Sequence, residues 1–132
     1  MIAALLDSLA ALPAVVWLIA TSRDARAGRG PFIRATIEAV VLSFVLAHVN
    51  RWFDLWKTHP YFPSGHETFA ACVATALVVR DRRYLIFALV VLVILGYGLV
   101  RSGWHGRFEV VAGFILGSVV TLTTLKANGI RI

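Results

Sequence analysis

Two short stretches of this chain carry residue types that suit acid–base and phosphate chemistry. The first is Pro63-Ser64-Gly65-His66, and the second is His105 followed four residues later by Glu109. Each places a histidine where a long apolar segment begins. A segment that crosses a bilayer has little structural use for an ionisable side chain there, so we expect chemistry at these two points.

The first stretch has the composition of a helix start that binds an anion. Ser64 is a good N-cap, and Gly65 lets the backbone approach a ligand closely. The free N–H groups at such an end, together with the positive end of the helix dipole, attract a phosphate. His66 then lies in the first turn, where it can donate a proton to the phosphate or to its leaving group.

The second stretch has the spacing of a carboxylate–histidine pair. His105 and Glu109 are four residues apart, so on a helix they share one face. The carboxylate can hold the Nδ1–H of the imidazole, which leaves Nε2 free as a nucleophile or base. Arg101 and Arg107 are near enough in sequence to bind phosphate oxygens through their guanidinium groups.

Composition indicates that a membrane surrounds these residues. The 132-residue chain is 59% hydrophobic and only 15% charged, with a mean hydropathy of +0.80. Soluble domains carry about 25% charged residues. The net charge of +6 arises from short basic loops rather than one stripe, which favours anionic lipid over nucleic acid. The single Cys72 excludes an intrachain disulfide and a multi-cysteine metal site.

Five apolar segments can be drawn along the chain, at roughly 2–20, 32–49, 67–79, 84–99 and 109–125. A span needs about 20 residues, and the last three segments fall short of that length. We therefore predict an all-α membrane protein, a bundle of about five short transmembrane helices. It would form one membrane domain over residues 1–132.

The basic residues predict an orientation. Nine of the thirteen lie in three places that five spans put on one side: Arg23, Arg26, Arg29 and Arg34; Arg80, Arg82 and Arg83; Lys126 and Arg131. The positive-inside rule makes that side, and the C-terminus, cytoplasmic. The other four, Arg51, Lys57, Arg101 and Arg107, share the two opposite loops with His59, His66 and His105. Outward-facing cations therefore coincide with histidines, which indicates a phosphate site on the extracytoplasmic side. We expect the membrane to be a prokaryotic inner membrane.

Three further features concern the apolar segments themselves. Glu38 follows Arg34 by four residues, an i,i+4 pair that can partly satisfy itself. Asp7 stands near the start of the first segment, where it can reach the interface. The small-xxx-small spacing of Gly113 and Gly117 allows close helix contact, either within one chain or between two.

The sequence resembles the type-2 phosphatidic acid phosphatase superfamily, whose motifs are K-x6-R-P, P-S-G-H and S-R-x5-H-x3-D. Pro63-Ser64-Gly65-His66 matches the second motif, and His105-x3-Glu109 resembles the end of the third with glutamate in place of aspartate. Arg101 precedes His105 by four positions rather than six. His59-Pro60 stands where R-P belongs, with Arg51 or Lys57 as the upstream cation.

The resemblance implies roles for these residues. His105 would attack phosphorus and form a phosphohistidine, oriented by Glu109, and His66 would protonate the departing group. Ser64, Gly65 and the nearby cations would hold the phosphate oxygens, without a metal or cofactor. The substrate would be a lipid phosphate or diphosphate, such as undecaprenyl or another polyprenyl diphosphate, phosphatidic acid or phosphatidylglycerol phosphate.

Two other readings remain open on the sequence alone. The altered first and third motifs favour a catalytically weak or inactive relative that binds lipid phosphate groups or serves as an accessory subunit. A metal-dependent protein would draw on oxygen and nitrogen ligands, here His59, His66, Glu67, His105 and Glu109. Whether protomers pair as a homo-oligomer is also open.

Overall fold

The computed structural model describes residues 2–22, 29–53, 55 and 61–132. These residues form five α-helices and no strand: α1 (Ile2–Ser22), α2 (Arg29–Phe53), α3 (Gly65–Arg80), α4 (Leu85–Arg101) and α5 (Arg107–Ala127). One 3₁₀ turn, Arg82–Tyr84, leads into α4. The all-α class is confirmed. Most helices extend past the predicted apolar segments because their polar ends keep the helical conformation.

Three of these stretches are long and apolar enough to cross a membrane, Arg29–Phe53, Arg82–Arg101 and Arg107–Ala127. A shorter apolar helix covers Leu5–Thr21, and α3 has 16 residues. Large apolar side chains such as Ile86, Val93 and Phe108 are exposed on the outer surface of the bundle. Apolar exposure of this kind is typical of a protein surrounded by lipid, and the chain is an all-α membrane protein.

Helix α3 lies at the centre of the bundle and packs against each of the other four helices. Its buried positions are mostly small: Ala70, Ala71, Cys72, Ala74 and Ala76 are all at most 1% exposed. Small side chains allow neighbouring helices to approach closely. The core residues that meet these alanines include Leu6 and Ala10 of α1 and Leu92, Leu95 and Leu99 of α4.

The end of the bundle opposite the histidines is also held by polar contacts. Arg34 Nε lies 2.9 Å from Glu38 Oε1, and Asn128 Nδ2 donates to Glu38 Oε2 at 3.1 Å. The guanidinium of Arg80 lies 5.2 Å from the centre of the Phe32 ring. The predicted Arg34–Glu38 pair is therefore confirmed. These contacts place the start of α2 beside the ends of α3 and α5, so the basic residues of those ends share one end of the bundle.

Gly113 and Gly117 bring α5 against α3 within the one chain. A Cβ at Gly113 would lie 2.7 Å from Ser64 O and 3.1 Å from the Cβ of Glu67. A Cβ at Gly117 would collide with the carbonyl oxygen of Thr68. Only glycine permits this spacing, so the small-xxx-small pair fixes the distance between the helices that carry the two motifs.

We expect Gly113→Ala to lower the free energy of unfolding by about 1–3 kcal/mol, the usual cost of overpacking. The added methyl meets backbone, which cannot rotate away. Thermal unfolding in detergent, followed by circular dichroism, measures the change. Val119→Ala, an outward-facing change on the same helix, should shift stability by no more than about 0.5 kcal/mol. Equal stability of Gly113→Ala and wild type would contradict the close α3–α5 contact.

Candidate active site

The start of α3 is built by Ser64. Its Oγ accepts the N–H of Glu67 at 3.4 Å, and its carbonyl accepts both the N–H and the hydroxyl of Thr68, at 2.9 and 2.7 Å. The predicted serine cap is confirmed. The first N–H groups of a helix have no partner within it, so those of Gly65 and His66 are available to an anion.

The start of α5 is built around Glu109. Its Oε2 lies 2.9 Å from His105 Nδ1 and accepts the N–H of Gly106 at 3.1 Å. The side chains of His105 and Glu109 are each only 10% exposed. Because a carboxylate oxygen accepts, Nδ1 of His105 carries the hydrogen and Nε2 keeps its lone pair. One carboxylate thus caps the helix and orients the imidazole.

A main-chain hydrogen bond joins the two helix starts. The N–H of Ser64 donates to the carbonyl of Glu109 at 3.0 Å. Beside it the rings of Phe62 and Phe108 stack with their centres 5.2 Å apart. The imidazoles of His66 and His105 are consequently neighbours, in an edge-to-face arrangement with ring centres 6.2 Å apart. Two motifs separated by about forty positions in the sequence therefore meet at one place.

The two histidines open onto a cavity of about 780 Å³. Polar or ionisable side chains line one part of it, and an apolar wall from α1, α2 and α3 lines the rest. The lining residues are Asp7, Ala10, Ala11, Phe44, Ala47, His48, Arg51, Tyr61, Pro63, Gly65, His66, Phe69, Gly103, Trp104 and His105. Such a space has room for a polar head group beside the histidines and an apolar chain along the wall.

The described residues among those predicted to bind phosphate divide into three groups. Gly65 and Arg51 line the cavity, and the Arg51 guanidinium lies 5.9 Å from the centre of the Tyr61 ring. Ser64 is fully buried behind the wall, where its hydroxyl caps α3. Arg101 and Arg107 are exposed and do not line this cavity. Lys57 and His59 lie outside the described residues.

Arg107 instead borders a second cleft, of about 490 Å³, between α4 and α5. The carboxyl group of Glu67 forms part of the inner wall of that cleft. Glu67 therefore points away from His66, and its Oε2 has no hydrogen-bond partner among the described residues. Within the ranges that the structure describes, no three side chains of histidine, cysteine, aspartate or glutamate lie close enough together to bind a metal ion.

Two residues at the cavity were not predicted as site members, His48 and Asp7. The Nδ1–H of His48 donates to the carbonyl of Phe44 at 2.8 Å. The His48 ring lies 3.6 Å from where a Cβ on Gly65 would stand. His48 precedes Arg51 by three residues, so both face the same way on α2. The three-residue spacing of His48 and Arg51, at the end of an apolar segment, could have predicted that both lie at the site. Asp7 lies 3.1 Å from His66 Nε2, and nothing local in the sequence predicts this contact.

The arrangement can support nucleophilic attack on a phosphate ester. His105 presents a lone pair on Nε2, and His66 stands across the cavity with a second imidazole. The start of α3 supplies N–H donors and Arg51 supplies a cationic group to the same cavity, where they could bind phosphate oxygens. Charge that develops on those oxygens in the transition state would be stabilised by groups already in position.

Comparison with known proteins agrees with this geometry. The family model described as PAP2 superfamily matches residues 43–131, which is more than half of the chain and includes both motifs. No curated protein and no solved structure matches the chain significantly. The family supports phosphatase activity on phosphate esters. With its two histidine motifs inside the matched region, the chain belongs to the PAP2 superfamily.

Proposed function

We propose that this protein is a metal-independent phosphatase that hydrolyses a lipid phosphate or diphosphate through a phosphohistidine on His105. The observation that carries the proposal is the buried His105–Glu109 pair, 2.9 Å apart, facing His66 across one cavity. The pair supplies an oriented nucleophile, and His66 supplies the acid. A nucleophile held by an orienting group within hydrogen-bond reach is typical of covalent catalysis.

The proposed reaction has two steps. In the first, His105 Nε2 bonds to phosphorus, the bond from phosphorus to the lipid oxygen breaks, and His66 donates a proton to that oxygen. In the second, water attacks phosphorus, His66 takes a proton from the water, and the P–N bond breaks to release phosphate. Glu109 stabilises the positive charge on the His105 ring during both steps.

A lipid substrate is supported by the apolar wall of the cavity. Ala10, Ala11, Phe44, Ala47 and Phe69 continue from the histidines along α1, α2 and α3. A soluble phosphate ester would leave this wall bare, whereas an acyl or isoprenoid chain would cover it and add binding free energy. Polyprenyl diphosphate, phosphatidic acid and phosphatidylglycerol phosphate all have such a chain.

The distribution of basic residues supports a site at the extracytoplasmic leaflet. The start of α2 and the ends of α3 and α5, opposite the site, carry Arg29, Arg34, Arg80 and Lys126. The positive-inside rule favours that end for the cytoplasm. We therefore propose one membrane domain of five helices with the site near the outer surface.

A lipid-phosphate-binding protein without turnover is the second candidate. It is favoured by the position of Arg101 and Arg107, which do not line the histidine cavity. Of the described cations that were predicted to bind phosphate, Arg51 alone lines the cavity. Fewer cations at the phosphate weaken stabilisation of the transition state. Turnover distinguishes this candidate from the enzyme.

We expect the purified protein in detergent to release inorganic phosphate from phosphatidic acid and from a polyprenyl diphosphate, at rates that EDTA does not change. Glycerol 3-phosphate, which has no chain to cover the apolar wall, should be hydrolysed more slowly at equal concentration. Arg83→Gln, an exposed change at the far end of the bundle, serves as the control. Binding of the lipid without any phosphate release would support the second candidate, and complete inhibition by EDTA would contradict metal independence.

A further inference from the structure

Each of the two site histidines has a carboxylate beside it, but on a different ring nitrogen. Glu109 lies against Nδ1 of His105, whereas Asp7 lies against Nε2 of His66, with Oδ1 3.1 Å away. Asp7 is 59 residues from His66 in the sequence and lies outside the segment that matches the family, residues 43–131. The contact with His66 is therefore made by α1, a helix that lies outside the matched segment.

The position of Asp7 is set by its neighbour in α1. Leu6 is 2% exposed and packs into the core formed by α1, α3 and α4. A Cβ at Gly98 would lie only 2.6 Å from Leu6 Cδ2, so the missing side chain of Gly98 makes room for it. Ala10, one turn later, is buried in the same core. With Leu6 and Ala10 held inside, Asp7 is turned toward the cavity and His66.

The choice of nitrogen determines what each imidazole can do. A carboxylate on Nδ1 leaves the Nε2 lone pair of His105 free to attack phosphorus. A carboxylate on Nε2 accepts the hydrogen on that atom and so fixes which ring nitrogen of His66 carries it toward the cavity. The ring is held from another direction by Trp104, whose centre lies 5.8 Å from its own. The two carboxylates thus give one histidine the role of nucleophile and the other that of acid.

We propose that Asp7 is a positioning residue that keeps the transferable proton on Nε2 of His66, and so makes His66 the general acid toward the lipid oxygen. This rests on the phosphatase function proposed above. When the substrate binds, the lipid oxygen competes with Asp7 for the hydrogen and receives it as the P–O bond breaks. The proton taken from water in the second step returns to the same Nε2. The side chain of Asp7 is 62% exposed and contacts His66, so it acts through the imidazole and not on the phosphate itself.

The test uses two leaving groups. An alkyl phosphate releases a strongly basic alkoxide that needs a proton, whereas 4-nitrophenyl phosphate releases a weakly basic phenolate that leaves without one. Asp7→Asn should lower the single-turnover rate of alcohol release from the alkyl phosphate by ~10- to 100-fold, which is part of the ~10²- to 10⁴-fold that general acid catalysis contributes. A single turnover followed by release of the alcohol reports the first step alone, so the use of His66 as a base in the second step does not enter. It should lower the single-turnover rate of 4-nitrophenolate release by less than ~3-fold, because that leaving group makes little use of general acid catalysis.

Three variants complete the design. His66→Gln should show the same selectivity for leaving group with a larger loss, and Asp7→Glu should restore part of the alkyl activity. Ser8→Ala, an exposed neighbour on α1 that does not line the cavity, should change neither rate by more than about 2-fold. KM should change little in Asp7→Asn, since the proposed effect is on proton transfer.

Two results would overturn the inference about Asp7 alone. One is an equal loss on both substrates, which indicates that Asp7 only supports the structure. The other is an unchanged Asp7→Asn beside a His66→Gln that loses the alkyl substrate selectively. A wild-type protein that hydrolyses neither phosphate would instead overturn the phosphatase function, and this inference with it.

Discussion

Replacing His105 by alanine is expected to reduce phosphate release by at least ~10³-fold, because His105 is the proposed covalent nucleophile and its removal leaves only the effects of binding and charge stabilisation. The His105 side chain is 10% exposed and contacts Glu109 and the edge of Tyr61. The loss should therefore appear in kcat, while a lipid phosphate still binds in the cavity. Release of phosphate from phosphatidic acid under saturating lipid measures it directly.

A trapping experiment separates loss of the nucleophile from loss of the fold. Wild-type protein mixed with substrate labelled in the phosphate and quenched in alkali should retain label on histidine, and the label should be lost in acid. His105→Ala should retain none, while its thermal unfolding in detergent remains cooperative. Activity within about 10-fold of wild type in a folded His105→Ala protein would rule out attack by this residue.

The second large effect is expected from Glu109→Gln, with a fall in kcat of ~10²- to 10⁴-fold, as for a neutralised carboxylate that orients a catalytic imidazole. The amide oxygen of glutamine can still accept the N–H of Gly106, so the start of α5 should persist. What is lost is the negative charge against Nδ1 of His105. Steady-state kinetics of the purified variant on phosphatidic acid measures the fall.

Glu109→Asp provides the matched control because it keeps the charge and shortens the side chain by one methylene. Its activity should lie between those of wild type and Glu109→Gln, since the carboxylate must reach farther to Nδ1. Unfolding temperatures of all three proteins should agree closely. A Glu109→Gln protein as active as wild type would show that His105 does not depend on the carboxylate.

Local features of the site could be predicted from sequence because they depend on a few residues around one helix start. Ser64 caps α3, as hydrogen-bonding preferences at helix starts indicate. His105 pairs with Glu109 as predicted, although it precedes α5, so the contact crosses the helix start instead of following one helix face. Arg107 lies within α5 two residues before Glu109 and thus on a different face, toward the α4–α5 cleft.

Contacts between distant helices could not be predicted in the same way. The approach of Asp7 to His66 depends on how Leu6 packs against α3 and α4. Likewise, His48 reaches Gly65 because of the path that α2 takes past α3. The spacing of Gly113 and Gly117 indicated a close helix contact but did not identify its partner, which is α3 of the same chain. Tertiary packing decided each of these points, and one sequence without its relatives contains little record of it.

The hydrogen bond from Ser64 N–H to Glu109 C=O has a consequence for how this site can diverge. Both of its atoms belong to the main chain, so the bond is available whichever side chain stands at position 109. The register between α3 and α5, and with it the spacing of the two histidines, therefore rests on main-chain atoms and not on the length of the carboxylate side chain.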